Sequence, residues 1–435
     1  MSRHAVVLGG GVSGLAAAYR LSRAGWHVSL LEARDELGGL ARSVPMGQAR
    51  VERYYHFICG SDRDLVGLAD ELGIGGHLHW SPAPVGYWYQ GRLYPFSTAL
   101  DLLRFSPLSP VSRVRMGLHA LRARRLKDWL PLDRRTAREW LVAEAGQQAY
   151  DVVWRPLLEV KFGPYFEQVS AAWMWHRIWR VGTSRHSPLK PDLMGYFDGG
   201  SAVLLDALVE RIQAAGSEIS LSCPAEAVRS EDGRVKSVAT AAGEIEADAV
   251  IVAVPLSEAA RLVADSLPKW SEALANLPAI AVVCGLFRLD SAVTPYFWVN
   301  INDSRLPING FVEYSNLNRR RETWGGEILY VPLYLAAEDP RFAWSDDQWV
   351  TFFRDGLSQV SPGLQDAVTA AVVTCDRYAQ PVCGPGFAQR VPPIAGPASG
   401  LFLVEASQLY PSDRTISGMI GLAGQAARLA DEARD

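Results

Sequence analysis

Little in this chain of 435 residues invites a reading as a secreted, membrane-spanning or nucleic-acid-binding protein. Cysteine is scarce: Cys59, Cys223, Cys284, Cys375 and Cys383 are scattered and form no CxxC pair and no Cys/His spacing of the kind a zinc site needs. They suit no disulfide framework either, so a reducing, cytoplasmic compartment is the default expectation. No run of about 18 apolar residues is free of charge, and no bilayer span is expected. An excess of positive charge is missing too, since a formal net charge of −4 sets up no global field toward nucleic acid. The first apolar strand begins by Ala5, and a glycine loop follows at once. That leaves no room for the n-region, h-region and cleavage site of a secretory signal. Internal repeats and low-complexity tracts are absent.

The composition that remains, 49% apolar and 21% charged, is that of a folded globular chain. Its length exceeds one ordinary core and points to two domains, interleaved or in series. The 14 tryptophans and 15 tyrosines suit the lining of a pocket or a large core.

Ala5-Val6-Val7-Leu8 reads as a buried parallel strand, Leu15 to Ala24 as a helix stopped by Gly25, and Val28 to Leu31 as a second strand. Val85 to Tyr94 reads as two short strands about a Gln90-Gly91 turn. From Leu100 to about Arg180 the pattern is helical. Val111, Val114, Leu118 and Leu121 fall at helical spacing, and Thr136 with Glu139 forms a capping box. Indole is dense there, at Trp173, Trp175 and Trp179. A helix over Leu204 to Ala215, a strand near Glu218 to Leu221 and a meander turning at Asp232-Gly233 and Gly243 follow. Ala249 to Ala253 is a buried strand closed by Pro255. The segment from Leu401 to position 435 is again strand, turn and helix.

Gly9-Gly10-Gly11-Val12-Ser13-Gly14 fits GxGxxG. Gly9 permits the turn out of the strand, Gly11 lets a pyrophosphate reach the backbone, and Gly14 lets the helix pack on the sheet. The helix N-terminus offers unpaired N–H groups to phosphates. Glu32 follows Gly14 at the spacing of a ribose ligand, at the end of the second strand. A second glycine pair, Gly38-Gly39, then lets another loop lie against the dinucleotide, with Arg42 beside the pyrophosphate. This separates FAD from NAD.

The stretch Val6 to Ser43 resembles the FAD-binding start of the flavin-containing amine oxidase superfamily, which includes protoporphyrinogen oxidases, phytoene desaturases and UDP-galactopyranose mutases. The shared pattern is the glycine loop, Leu31-Glu32-Ala33-Arg34, and Gly38-Gly39-Leu40-Ala41-Arg42. Tyr196 to Ser201 resembles the element opening the family's second nucleotide segment. Cys223 to Val228 resembles the adenine-holding strand, with Val228 at the contact position. Asp248 to Pro255 resembles the strand near the flavin. Leu403 to Arg414 resembles the bacterial protoporphyrinogen-oxidase-like branch. There the resemblance makes Glu405 the ligand of the ribityl–pyrophosphate region, and the helix after Arg414, from Thr415, would point its N-terminus at the flavin. The family's usual Gly-Asp pair is Val404-Glu405 here.

Arg50 to Gly60 resembles the run beneath the isoalloxazine, with His56 at the position that lies against the flavin in the mutases. His56 reads equally as a hydrogen-bonded core histidine. On the substrate side, Trp154 to Leu158, Lys161-Phe162-Gly163 and Phe311 to Ser315 resemble the same bacterial branch. Arg155, Lys161 and Arg177 are candidates for an anionic substrate group, although surface ion pairs are the commoner fate of such residues. Tyr314 and Tyr378 are candidate wall residues. The resemblance supplies no lysine of the kind that orders water near N5 in amine oxidases.

From Leu102 to Lys127 the chain carries seven cations and no acid. This basic helical region, 102–127, reads as a peripheral membrane contact or as a solvated face.

The expected fold is α/β. A Rossmann-like FAD-binding domain is assembled from 1–80, 196–278 and 385–435, and a mixed sheet-and-helix substrate domain comprises 81–195 and 279–384. The expected activity is that of an FAD-dependent oxidoreductase in which a hydride passes from a substrate C–H or C–N bond to flavin N5. His56, Arg155, Lys161 and Tyr314 are the candidate catalytic residues, and the substrate is a small molecule, lipid-like or anionic. The electron acceptor is open among oxygen, a quinone and another protein. The alternatives are a mutase-like non-redox flavoenzyme acting on a sugar nucleotide, and a binding protein stabilised by FAD.

Overall fold

The computed structural model describes residues 3–46, 49–184, 187, 189–303 and 305–433. The last two positions of the expected closing segment lie outside these.

Five short strands form one parallel sheet, in the order Glu218–Ser220, His27–Leu31, His4–Leu8, Ala249–Val252, Leu401–Leu403. They come from three separated stretches of chain. The central strand His4–Leu8 is apolar on both faces because both faces are covered. Val6 and Leu8 enter one core and Ala5 and Val7 the other. Helix Val12–Arg23 starts three residues earlier than its apolar pattern suggests and packs on helix Ile416–Glu432.

A second sheet of seven strands runs Val368–Pro381, Ala279–Leu289, Glu327–Ala336, Gly310–Glu313, Trp298–Asn302, Val85–Tyr89, Arg92–Pro95. Its pairs are antiparallel except that of Trp298–Asn302 with Val85–Tyr89. The Val85 hairpin turns at Gln90-Gly91, where both residues have positive φ. Helices between 99 and 184 cover one end. Thr136 and Glu139 cap their helix reciprocally: Glu139 N–H donates to Thr136 Oγ1 at 3.2 Å and Thr136 N–H to Glu139 Oε2 at 3.0 Å.

Helix Pro110–Arg125 inverts the usual arrangement. Met116, His119 and Ala123 face inward, whereas Val111, Val114, Leu118 and Leu121 face out. No helix among the described residues is long and apolar enough to cross a membrane.

Candidate active site

The strand His4–Leu8 runs into the glycine loop, and helix Val12–Arg23 begins directly after it. Gly11 occupies the N-cap and brings no side chain to the first helical N–H groups, which stay available to an anion. Glu32 turns back to the loop: its Oε2 accepts from Gly10 N–H at 2.6 Å and its Oε1 from Arg34 N–H at 2.9 Å. A carboxylate has about four acceptor sites, so capacity remains for ribose hydroxyls. The second glycine pair docks on the first. Gly38 N–H donates to Gly10 O at 2.8 Å, and a Cβ on Gly39 would stand 3.3 Å from Gly11 Cα.

Both loops open onto a cavity of about 690 Å³, a volume suited to a ligand of nucleotide size. Gly9, Gly11, Val12, Ser13, Glu32 and Ala33 border it at one end, with Arg34, Gly38, Gly39, Leu40 and Ala41 alongside. His56, Pro255, Glu405, Arg414 and Thr415 also reach the wall.

Gly14, Arg42 and Val228 do not. Gly14 packs the helix onto the loop, since a Cβ there would meet Gly9 O at 1.8 Å. Arg42 stands behind the wall, its pKa lowered by burial and then by the Arg53 and Arg34 guanidiniums. Val228 is buried in the meander, its carbonyl accepting from Ser266 Oγ at 2.9 Å, and Pro224 and Ala225 border the cavity instead.

The charge at this end fits the pyrophosphate of FAD. Arg53 Nη1 lies 3.5 Å from Asp376 Oδ2, and Arg34, Arg414 and Arg42 act on the same carboxyl, whose pKa burial nonetheless raises. Arg34 and Arg414 border the cavity here, with Arg53 and Arg42 adding positive charge behind its wall, a setting that suits a pyrophosphate. Glu405 is buried and accepts from Ser407 N–H at 2.7 Å, and burial pushes its pKa up.

Farther along, Glu52 sits between His56 and Tyr314. Tyr314 donates to Glu52 Oε2 at 3.2 Å, Ser201 N–H donates to Oε1 at 3.1 Å, and Tyr330 donates to the Glu52 carbonyl at 2.9 Å. His56 Nδ1 stands 3.3 Å from Glu52 Oε1, within ion-pair reach but without hydrogen-bond alignment, and so stays unsatisfied. Burial, then Glu52, holds the Tyr314 hydroxyl well above its usual pKa, so this phenol keeps its proton.

Across the cavity, Asp413 gathers cations: Arg177 Nη1 at 3.1 Å and Lys161 Nζ at 3.5 Å. Burial alone would raise the Asp413 pKa, but Lys161, Arg177, Arg414 and Arg180 hold it below the usual value. Arg180 itself holds both oxygens of Asp62 at 3.0 Å. Lys161 Nζ lies 5.1 Å from the Tyr334 ring centroid, and Tyr334 shares a hydrogen bond with Tyr55. Burial alone would raise the Tyr334 hydroxyl, but Lys161 and Arg414 bring it below its ordinary pKa. Tyr378 borders the same cavity, with its pKa pushed up to about 12 by burial.

Of the candidate substrate residues, Lys161, Arg177, Tyr314 and Tyr378 meet at the cavity and Arg155 does not. On helix Arg155–Phe162, Leu157, Val160 and Lys161 share the inward face. Arg155 points the other way and pairs with Glu159 at 2.8 Å. The sequence reading passed over Glu52, Tyr55, Tyr334 and Asp413. For Glu52 there was a signal: it stands four residues before His56 in a largely aromatic run.

The sequence profile of the family described as flavin containing amine oxidoreductase matches residues 12–394. Coproporphyrinogen III oxidase of Mycobacterium bovis is 27% identical, over 99% of this chain and 97% of that protein. Putrescine oxidase of Kocuria rosea is 34% identical over 103 residues, a match confined to 22% of each chain. In fold the chain is similar to reduced UDP-galactopyranose mutase, with a TM-score of 0.73 at 16% identity, covering 98% of this chain and 95% of that one.

Proposed function

The chain belongs to the flavin-containing amine oxidoreductase family, and from that premise we propose that it is an FAD-dependent oxidoreductase taking a hydride from a C–H or C–N bond of an anionic small molecule. FAD is its cofactor. When bound, FAD supplies a two-electron acceptor at N5, which an external acceptor then regenerates. In this reading the glycine loop, Glu32 and Arg34 hold the dinucleotide, Arg42 and Arg53 add positive charge from behind the wall, and His56 and Tyr314 border the reacting region.

One observation carries the substrate class. Lys161, Arg177 and Arg180 face Asp413 and Asp62 across the cavity, and Arg414 is shared between Asp413 and Asp376, which leaves a surplus of positive charge at that end. Such a surplus attracts a carboxylate or phosphate ester. The aromatic side chains of Tyr55, Trp298 and Tyr334 flank it and suit a substrate with an apolar body. Tyr334 shares a hydrogen bond with Tyr55 and stands in the field of Lys161, so the pair offers polar hydroxyls to a substrate at this end of the cavity. The full length shared with a coproporphyrinogen III oxidase supports a carboxylated substrate.

The test is anaerobic mixing of the FAD-loaded protein with porphyrinogens, amines, sugar nucleotides and lipids, read as bleaching of the flavin band. Bleaching by a polyanionic compound is expected. Removing one charge-assisted contact costs about 1.5–3 kcal/mol, so Arg177→Met should raise KM by roughly 10- to 100-fold with little change in kcat. Bleaching only by uncharged compounds, with Arg177→Met at wild-type KM, would refute the proposal. A mutase-like activity, suggested by His56 at the cavity and by the fold likeness, would instead need prior flavin reduction and give no net redox change. A binding protein merely stabilised by FAD would hold flavin that none of these compounds bleaches.

A further inference from the structure

Exposed apolar side chains are not spread evenly over this molecule. Of thirteen large hydrophobic residues exposed among the described residues, seven fall between positions 100 and 130: Leu100, Leu103, Val111, Val114, Leu118, Leu121 and Leu130. Val111, Val114, Leu118 and Leu121 are spaced at three, four and three residues and make one stripe along helix Pro110–Arg125. Each is about half exposed or more, from 48% for Leu118 to 69% for Val111. The stripe extends beyond the helix. The preceding helix, Ala99–Arg104, is tied to it where Arg113 Nη1 donates to the Leu103 carbonyl at 2.7 Å. On the other side the Arg124 side chain lies against Gly182, beside exposed Val181.

A solvated helix normally has one apolar face and turns it inward. This one has two. Met116, His119 and Ala123 already satisfy the core, so the outward stripe gains nothing by folding of the chain alone. Leaving it wet forgoes about 25 cal/mol for each Å² that a partner would cover, and clustered patches of this kind mark interaction surfaces.

The charge beside the stripe selects the partner. Between Leu102 and Lys127 stand Arg104, Arg113, Arg115, Arg122, Arg124, Arg125 and Lys127, without one acid, in a chain whose net charge is −4. Arg113 and Arg115 are spent on backbone carbonyls, and Arg122 reaches Glu144 at 3.3 Å while remaining largely exposed. Arg122 flanks the stripe on one side and Arg124 on the other, and Arg125 continues its line. An exposed apolar ridge edged by arginines matches an interface that is apolar inside and anionic at its rim.

We propose that this face docks on the surface of an anionic phospholipid bilayer. Val111, Val114, Leu118 and Leu121 enter the boundary between headgroups and acyl chains, and Arg104, Arg122, Arg124 and Arg125 take the phosphates. A second copy of the chain is a poorer fit, because a two-fold contact would set these arginines against their own equivalents. The proposal stands independently of the redox reading, since none of these side chains borders the cavity.

The experiment is co-sedimentation of the full-length, FAD-loaded protein with vesicles of phosphatidylcholine, and with vesicles of phosphatidylcholine and phosphatidylglycerol in equal parts. Binding to the anionic vesicles and not to the neutral ones is expected, weakening as salt rises. Arg122→Glu/Arg124→Glu/Arg125→Glu and, separately, Val114→Glu/Leu118→Glu should each lower vesicle affinity by at least about tenfold, with flavin content unchanged; the charge reversal should lower Tm slightly, because Glu144 loses its partner and the helix end its cations. Arg122→Gln/Arg124→Gln/Arg125→Gln should lose less than the charge reversal. Absence of binding, equal binding to neutral vesicles, or affinity untouched by charge reversal would each overturn the proposal. So would a wild-type dimer in analytical ultracentrifugation that Val114→Glu/Leu118→Glu converts to monomer, since that assigns the face to a second copy.

Discussion

Two alanine substitutions in the glycine loop should have opposite consequences. Gly14→Ala would drive a methyl group to 1.8 Å from Gly9 O and 3.0 Å from Gly9 C. The obstacle is backbone, and Gly9 cannot retreat, because its own Cβ position is 2.5 Å from Ala253 O at a φ of +103°. Overpacking of this kind costs about 1–3 kcal/mol in ordinary cores, and a contact this close belongs at the top of that range. Gly11→Ala meets nothing within 4 Å, at φ −72° and ψ 176°, a conformation alanine adopts freely. The apoprotein should gain about 0.4–1 kcal/mol through a less flexible unfolded chain. The same empty space is where a pyrophosphate must approach the helix N-terminus. A methyl there would cost a charge-assisted hydrogen bond of about 1.5–3 kcal/mol, or roughly 10- to 100-fold in FAD affinity. Thermal melting of the apoprotein gives the first quantity, and quenching of FAD fluorescence on titration gives the second. If Gly11→Ala binds FAD as the parent does, or if it lowers apoprotein stability, the loop does not hold the dinucleotide through an open approach at Gly11.

Two further outcomes follow from buried titratable groups. Burial holds the His119 pKa down at about 4, against 6.5 when unfolded, so the unfolded chain takes up the proton first and stability is lost as pH falls from 6.5 toward 4. His119→Phe should remove that loss, worth about 2 kcal/mol at pH 5, and urea melts of both proteins at pH 5 and pH 7.5 would show whether the gap closes. Asp413, held below its usual pKa against burial, stabilises the fold above the unfolded carboxylate value, and that contribution fades as pH falls through the lowered pKa. Asp413→Asn should therefore destabilise the protein by about 3 kcal/mol at neutral pH yet lower KM for an anionic substrate by roughly fivefold. A stable variant with unchanged KM would contradict both halves.

How much of this could be read from the chain depends on how far apart the cooperating residues lie. The glycine loop, Glu32 and Gly38-Gly39 share one short stretch, and each is required by a backbone contact visible as a spacing: Gly38 N–H reaches Gly10 O, and Glu32 reaches Gly10 N–H. The parallel strands were legible for the same reason, as short apolar runs between turn residues. Pairing across the large sheet was not. Ala279–Leu289 lies between Glu327–Ala336 and Val368–Pro381, and Trp298–Asn302 runs parallel to Val85–Tyr89, so register there is set by partners roughly 40 to 210 residues away.

The substrate end shows where local reading reaches its bound. Lys161 and Arg177 were visible as cations with no assignable partner; the partner, Asp413, is more than 230 residues on. Arg155 was drawn in by the run around it, although helical spacing from Leu157, Val160 and Lys161 already turns it outward, and the structure pairs it with Glu159 on that outer face. The helix Pro110–Arg125 is the converse case. Its apolar spacing gave a helix correctly but could not say which face is buried, because two apolar stripes share one cylinder. Only tertiary packing decides between them, and here it gave the core to Met116, His119 and Ala123. A pattern of spacing therefore fixes an element while leaving its orientation to the rest of the fold, and it is orientation that separates a core helix from a surface built to meet something else.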